Sequence, residues 1–243
     1  QGLYESAKKY VGWPITPGFE FAGTVSALGE GVDTPAVGTR VFGVSRFGGY
    51  ASEICVPRAQ LFLLPAGLGF AQAAGLPAVF FTAFHALFQN IVVGANMKVL
   101  VHSAAGGVGT ALSQLLRIIG CDVVGVVGAA HKVEVAKRFG AGLVIDKSRE
   151  PLWPRAEELA PDGYDIILDG NGPATLRQSY AHLRPVGKLV AYGFHSMFSR
   201  RGGFPNYAKL AVQYLRIPKF SPLDMVNDNR SVICFNLSFL FDR

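Results

Sequence analysis

The chain has 243 residues, enough for one large domain or two ordinary ones at roughly 100–200 residues each. Half of the residues are hydrophobic and only 16% are charged, which suits a packed core and excludes an intrinsically disordered chain. The formal charge is +6, but the basic residues are scattered and the local run "SRRGG" at 199–203 is short, so they read as a solvated surface rather than a nucleic-acid patch.

In chain order, residues 1–90 are rich in glycine and short apolar runs. "FAGTVSAL" (21–28) and "RVFGV" (40–44) are separated by the turn-rich "GEGVDTPAVG" (29–38), a texture that predicts a small barrel-like or irregular β domain. Phe80, Phe81, Phe84 and Phe88 then recur at helical spacing, which predicts that most of them are core, a minority lining an apolar pocket for a planar ring. From about residue 91 the pattern changes to alternating strands and helices. Strands are expected at "KVLVH" (98–102), "DVVGVV" (122–127), "LVID" (143–146), "YDIILD" (164–169) and "GKLVAYG" (187–193), with helices after the glycines, at 131–139 and at 173–183. Such alternation makes βαβ units and a parallel sheet. Residues 196–222 read as irregular, and "SVICFNLSFLF" (231–241) as a last strand.

Cys55, Cys121 and Cys234 are far apart and odd in number, which supports neither a disulfide framework nor a metal site, and suits reduced thiols in a cytoplasmic setting. Continuous apolar runs of about eighteen residues, the length of a membrane span, are absent: "AGLPAVFFTAFHALF" is interrupted by Pro77, Thr82 and His85. No signal peptide is evident, and a first residue of Gln1 suggests that something precedes it.

The most informative stretch is "AAGGVG" at 104–109. It follows a predicted strand and opens a helix, with Ala104 in the first glycine position of a dinucleotide fingerprint and Gly106 and Gly109 in the others. Gly106 would let backbone approach a pyrophosphate, Gly109 would let the helix pack closely, and the first turn, with Gly107 and Val108, would present free N–H groups to phosphate. The helix carries an apolar stripe at Leu112, Leu115, Leu116 and Ile119 and stops at Gly120. A site that prefers NAD usually has an acid about twenty residues on. Here the segment after Gly128 carries His131 and Lys132 instead, residues suited to a 2′-phosphate, so NADPH is the expected cofactor. His102, at the end of the strand before the glycines, reads as a structural histidine.

"PGFEFAGTV" (17–25), "VGTRV" (37–41), "GGYASE" (48–53), "LPAVFFTAFHAL" (76–87), "VLVHSAAGGVG" (99–109), "LDGNG" (168–172) and "LRPVGKLVAYG" (183–193) occur in order. Together they resemble the medium-chain dehydrogenase/reductase superfamily and, within it, the zinc-independent quinone oxidoreductases, with a tail similar to the VAT-1-like subset. The resemblance implies an α/β fold: a Rossmann-type doubly wound parallel sheet at 91–243 and a partial GroES-like β domain at 1–90, with NADPH in the cleft between them. It implies hydride transfer to a quinone or α,β-unsaturated carbonyl. Zinc alcohol dehydrogenases have Gly-His-Glu where this chain has Gly18-Phe19-Glu20, so no metal is expected and Glu20 is given a structural role.

By the same resemblance Thr82 lies near the nicotinamide, Gly172 lets a loop pass close to the cofactor, and Gly193, Phe235 and Asn236 line its nicotinamide end. Lys147 stands where relatives often place a tyrosine against the adenosine, and Tyr4 could orient a substrate carbonyl. The strand from 231 resembles an edge through which relatives form homodimers, and the chain as a whole looks like the middle of a longer protein. A reading from a different class is a catalytically weak, nucleotide-binding scaffold or regulatory protein of the VAT-1 type.

Overall fold

The computed structural model describes residues 5–194, 211, 214–215 and 217–240. They form two compact units, one taking Thr82–Leu237, the other the chain up to Phe81 together with the stretch from Ser238 onward.

The smaller unit is built on an antiparallel sheet of β1 (Glu20–Thr24), β2 (Arg40–Val44) and β3 (Leu61–Leu63), in that order. Gly43 lets β2 pass closely: a side chain there would sit 2.9 Å from the Phe21 ring. Arg40 fastens the strand to the next segment by donating to the Leu68 carbonyl at 3.1 Å and lying over the Phe70 ring at 4.6 Å.

The larger unit holds a six-stranded sheet of β4 (Lys98–His102), β5 (Asp122–Val127), β6 (Leu143–Asp146), β7 (Tyr164–Asp169), β8 (Leu183–Ala191) and β9 (Ser231–Cys234). All pairings are parallel, and the spatial order is β6-β5-β4-β7-β8-β9. The chain therefore moves outward from β4 in one direction and resumes at β7 in the other, leaving a topological switch point between β4 and β7. A parallel sheet must be covered on both faces, which explains the unbroken apolar runs: β7 is buried along its whole length. Leu100, Val124, Ile145, Ile167 and Leu189 form the centre of the core.

The helix Gly107–Ile119 ends where Gly120 turns left-handed at φ 90°, its N–H returning to Leu116 and Arg117. A helix at Leu152–Leu159, absent from the sequence-based reading, packs Trp153 against the core. Its two prolines, Pro151 and Pro154, hide it, yet Pro151 precedes the helix and Pro154 falls in the first turn, where the missing N–H costs no helical bond.

Two expectations are corrected. The last strand covers only Ser231–Cys234 rather than 231–241, and Leu237–Phe239 is a 3₁₀ turn. The phenylalanines are not mostly core: Phe81, Phe84 and Phe88 are 40%, 51% and 45% exposed. They share one helical face, but Ala83, Ala86 and Leu87 occupy the other at 0% exposure, and the smaller residues allow the closer approach. By length and composition the run Phe70–Gln89 reaches what a membrane span needs, although no continuous apolar stretch of that length exists. A break at 74–76 and the fully buried Ala83, Ala86 and Leu87 are features of a helix that packs inside a fold.

Gly125 marks how tightly the larger unit is closed. A Cβ there would lie 2.9 Å from the Cβ atoms of both Ala104 and Ala141. Gly125→Val is expected to lower unfolding stability by about 1–3 kcal/mol or more, measured by urea denaturation, because neither neighbour can move without displacing a strand end or a helix.

Candidate cofactor site

The carboxyl ends of six parallel strands lie along one edge of the sheet, and most of the residues singled out from the sequence follow directly after them. After β4 the chain turns through Ser103, which is left-handed at φ 54°, and the Gly106 N–H donates to the Ser103 carbonyl at 2.8 Å. Ala104 is fully buried, its N–H donating to Val126 at 3.0 Å. Gly106 caps the helix, while Gly106 and Gly107 are exposed and Val108 half-buried. At Gly109 a side chain would lie 2.8 Å from Ala104 Cα and collide with the Ser103 carbonyl. The helix thus starts in contact with the turn, its free N–H groups exposed beside it, a geometry suited to phosphate.

Beyond β5 and β6 the surroundings are basic. Gly128 is exposed, and a side chain on it would meet Lys147 Cε at 3.5 Å, so these two residues are neighbours. Lys147 is held at the end of β6 by its N–H donating to Val127 at 3.1 Å, with its side chain exposed. His131 and Lys132 are exposed in the 3₁₀ turn Ala130–Lys132 that leads into the next helix. One carboxylate was missed by reading only the end of β5. Asp146 closes β6, and its Oδ1 accepts from Ser148 Oγ at 2.6 Å and Ser148 N at 3.0 Å. The Ser148 hydroxyl, helped by Arg149 and His131, holds this carboxyl below its ordinary range.

At the other side of the switch point, Gly172 is buried with φ 82°, and a side chain on it would lie 2.9 Å from the Phe194 ring. Gly193 packs on Gly170, where a Cβ would come within 2.8 Å of the Gly170 carbonyl. The Phe235 N–H donates to Ala191 at 3.2 Å, and its ring meets His85 edge-on at 4.6 Å and Tyr192 at 6.5 Å. Burial and the Asp169 carboxylate push the Tyr192 phenol strongly up, so Tyr192 is a neutral wall here. Asn236 is exposed, and Thr82 is half-buried three residues before His85. Sequence reading overlooked His85, although its i+3 spacing from Thr82 put both on one helical face. It heads a π turn, His85–Gln89, with its Nδ1 bonded to the Gln89 side chain. Tyr4 lies outside the described residues, as does the basic run at 199–203.

The fold and this edge define a class: a Rossmann-type α/β domain with its glycine turn at the switch point, joined to a smaller β unit. Two family models match the chain: "Alcohol dehydrogenase GroES-like domain" over residues 2–66 and "Zinc-binding dehydrogenase" over residues 107–217. It is 35% identical over 240 residues to the human synaptic vesicle membrane protein VAT-1 homolog, covering 99% of this chain and 60% of that protein. It is 34% identical over 187 residues to a 2-haloacrylate reductase of Burkholderia sp, covering 75% of this chain and 56% of that protein. The Escherichia coli quinone oxidoreductase complexed with NADPH superposes with a TM-score of 0.76 at 27% identity, covering 95% of this chain and 66% of that one. The chain thus spans a little over half the length of these protein relatives. It belongs to the medium-chain dehydrogenase/reductase superfamily.

The donor set does not fit zinc. Phe19 replaces the histidine at Gly18-Phe19-Glu20 and packs on Phe47 at 4.6 Å, and no group of three or more His, Cys, Asp or Glu suits a metal among the described residues. Glu20 instead accepts the Ala78 N–H at 2.8 Å, at the start of the helix Pro77–Phe84. Burial raises its pKa, and the hydrogen bond only partly offsets this. A raised folded-state value means that the native state binds more protons, so Glu20 loses stability as pH rises from its unfolded value through its folded one. Glu20→Gln keeps an acceptor for Ala78 and is expected to remove that loss, flattening the stability–pH curve in the weakly acidic range. Glu20→Ala, which removes this acceptor, is expected to cost about 1–3 kcal/mol in the same denaturation series.

Proposed function

We propose that the protein is an NADPH-dependent, zinc-independent oxidoreductase that transfers a hydride to a quinone or an α,β-unsaturated carbonyl. The observation that carries this is the glycine turn at the switch point with a basic margin on its adenosine side, His131, Lys132 and, beside Gly128, Lys147. Residues 1–90 are taken as the partial GroES-like catalytic domain and 91–243 as the NADPH-binding domain. In this reading Ala104, Gly106, Gly107, Val108 and Gly109 carry the pyrophosphate, and the backbone of Gly172 and Gly193 borders the nicotinamide end. Bound there, NADPH supplies the hydride. The residues of the chain then have to position and shield it, with Thr82, Phe235 and Asn236 at that end and Tyr4 toward the substrate carbonyl. The fit to the dinucleotide rests on the exposed backbone at Gly106 and Gly107, on the close helix start that Gly109 permits, and on the charge of the margin. The names of the relatives support the substrate class: one reduces a haloacrylate, an unsaturated acid, and others are quinone oxidoreductases.

The similarity to VAT-1 proteins favours a second reading, a nucleotide-binding scaffold with little turnover. A cytoplasmic setting and a homodimer through the exposed outer edge of β9 complete the first reading.

Fluorescence titration is expected to give tighter binding of NADPH than of NADH, and Lys132→Glu should lose most of that preference, roughly tenfold, for one charge-assisted phosphate contact replaced by repulsion. NADPH oxidation with a simple quinone or enone would then establish the activity. Binding without turnover would move the scaffold reading forward, and equal affinity for the two nucleotides would sink the phosphate assignment. Gel filtration is expected to give about twice the 26.0 kDa chain mass.

A further inference from the structure

The backbone ladder between β4 and β7 ends at Val101↔Leu168. The next residues on each strand, His102 and Asp169, are both fully buried and belong to a polar network. Asp169 Oδ1 accepts from the N–H groups of Asn171 at 2.8 Å and Gly172 at 3.1 Å, and its Oδ2 from the Ser179 hydroxyl at 2.9 Å. Ser179 Oγ also lies 3.0 Å from His102 Nε2. A hydroxyl has one proton, and a buried carboxylate can only accept, so Ser179 gives its proton to Asp169 and must accept from His102. His102 is thereby held as the neutral Nε2–H tautomer, consistent with burial lowering its pKa. Its Nδ1 has no partner among the described residues.

The following residue, Ser103, makes a second and separate link. Its hydroxyl donates to Asn171 Oδ1 at 2.9 Å, although its own backbone is left-handed, a conformation that a serine keeps only where its surroundings impose it. Asn171 is only 7% exposed, and its Nδ2 is unpartnered. Two consecutive residues entering the glycine turn are thus tied across the sheet, His102 through Ser179 to Asp169 at the end of β7 and Ser103 directly to Asn171 in the turn that follows it. They are tied where the strands stop pairing, and these two turns flank the switch point, the place at which open parallel sheets form a ligand crevice.

We propose that Asp169, Ser179, His102, Ser103 and Asn171 form a positioning network that holds the two walls of this crevice at one spacing, so that dinucleotide affinity depends on residues that need not touch it. The inference rests on the NADPH reading above. Side-chain links take over from the sheet where the backbone must open to admit a ligand. None of these five residues was assigned a cofactor role from the sequence.

The test compares Ser179→Ala and Ser103→Ala with the unmodified protein, titrated with NADPH and with adenosine 2′-monophosphate, which is sized for the basic margin alone. Both variants are expected to bind NADPH roughly tenfold more weakly, about 1.4 kcal/mol of binding free energy, while keeping their affinity for the monophosphate. Ser103 is exposed, so its variant retains a test should the buried Ser179→Ala fail to fold. Unchanged NADPH affinity, or a parallel loss of both ligands, would overturn the network's role. If the unmodified protein bound neither ligand, the NADPH reading itself would fall and this inference with it. Binding by the unmodified protein with indifferent variants would remove the inference alone.

Discussion

The tightest backbone approach on the sheet edge is that of Gly109 to Ser103 and Ala104, and much of the larger unit follows from it. With no Cβ in the way, the helix Gly107–Ile119 can start in contact with the end of β4. That contact buries Ala104 against Gly125 of β5, so the helix, the turn and two strands share one small-residue junction. Larger side chains would force the helix away from the sheet and move its N-terminus off the switch point. The exposure of Gly106 and Gly107 beside that junction is therefore a consequence of packing as much as of any ligand.

Electrostatics divide along the same edge. On the β5–β6 side, His131, Lys132 and Lys147 are exposed, where charge is inexpensive and open to an anion. Asp146, the carboxylate nearby, is occupied by Ser148 and by Arg149 at 3.8 Å. On the β7–β8 side the groups are buried. Asp169 is ringed by N–H and O–H donors, His102 is neutral, and Tyr192 is kept protonated. Solvated cations thus stand at one end of the edge and buried, largely hydrogen-bonded groups at the other, with His102 Nδ1 and Asn171 Nδ2 left without partners among the described residues.

The exposed phenylalanines mark the opposite compromise. Phe84 and Phe88 stack on each other at 4.9 Å on the solvent side of their helix while alanines take the inside. Helical period alone says which residues share a face, not which face is buried. The buried one is the face that lets the backbone come closest, and here the smaller side chains win.

From the sequence alone, the first four strands of the larger unit and the glycine turn between β4 and its helix were legible, because buried parallel strands are continuously apolar and a phosphate-type turn needs glycines at set spacings. The strands at 98–102, 122–127, 143–146 and 164–169 stand where the apolar runs put them. That basic residues, His131, Lys132 and Lys147, follow β5 and β6 was legible too, since it depends on residue type alone. Only the tertiary structure decided what pairs across the sheet. That Ser103 reaches Asn171 and His102 reaches Asp169 through Ser179 follows from β4 and β7 being neighbours in space, although the side chains that meet, Ser103 with Asn171 and His102 with Ser179, are 68 and 77 residues apart in the chain. No local pattern encodes that pairing, because strand order is set by how all six strands and their helices close over one core. For the same reason the short reach of β9, the helix around Pro151 and Pro154, and the outward face of the phenylalanines became visible only once the neighbours were in place.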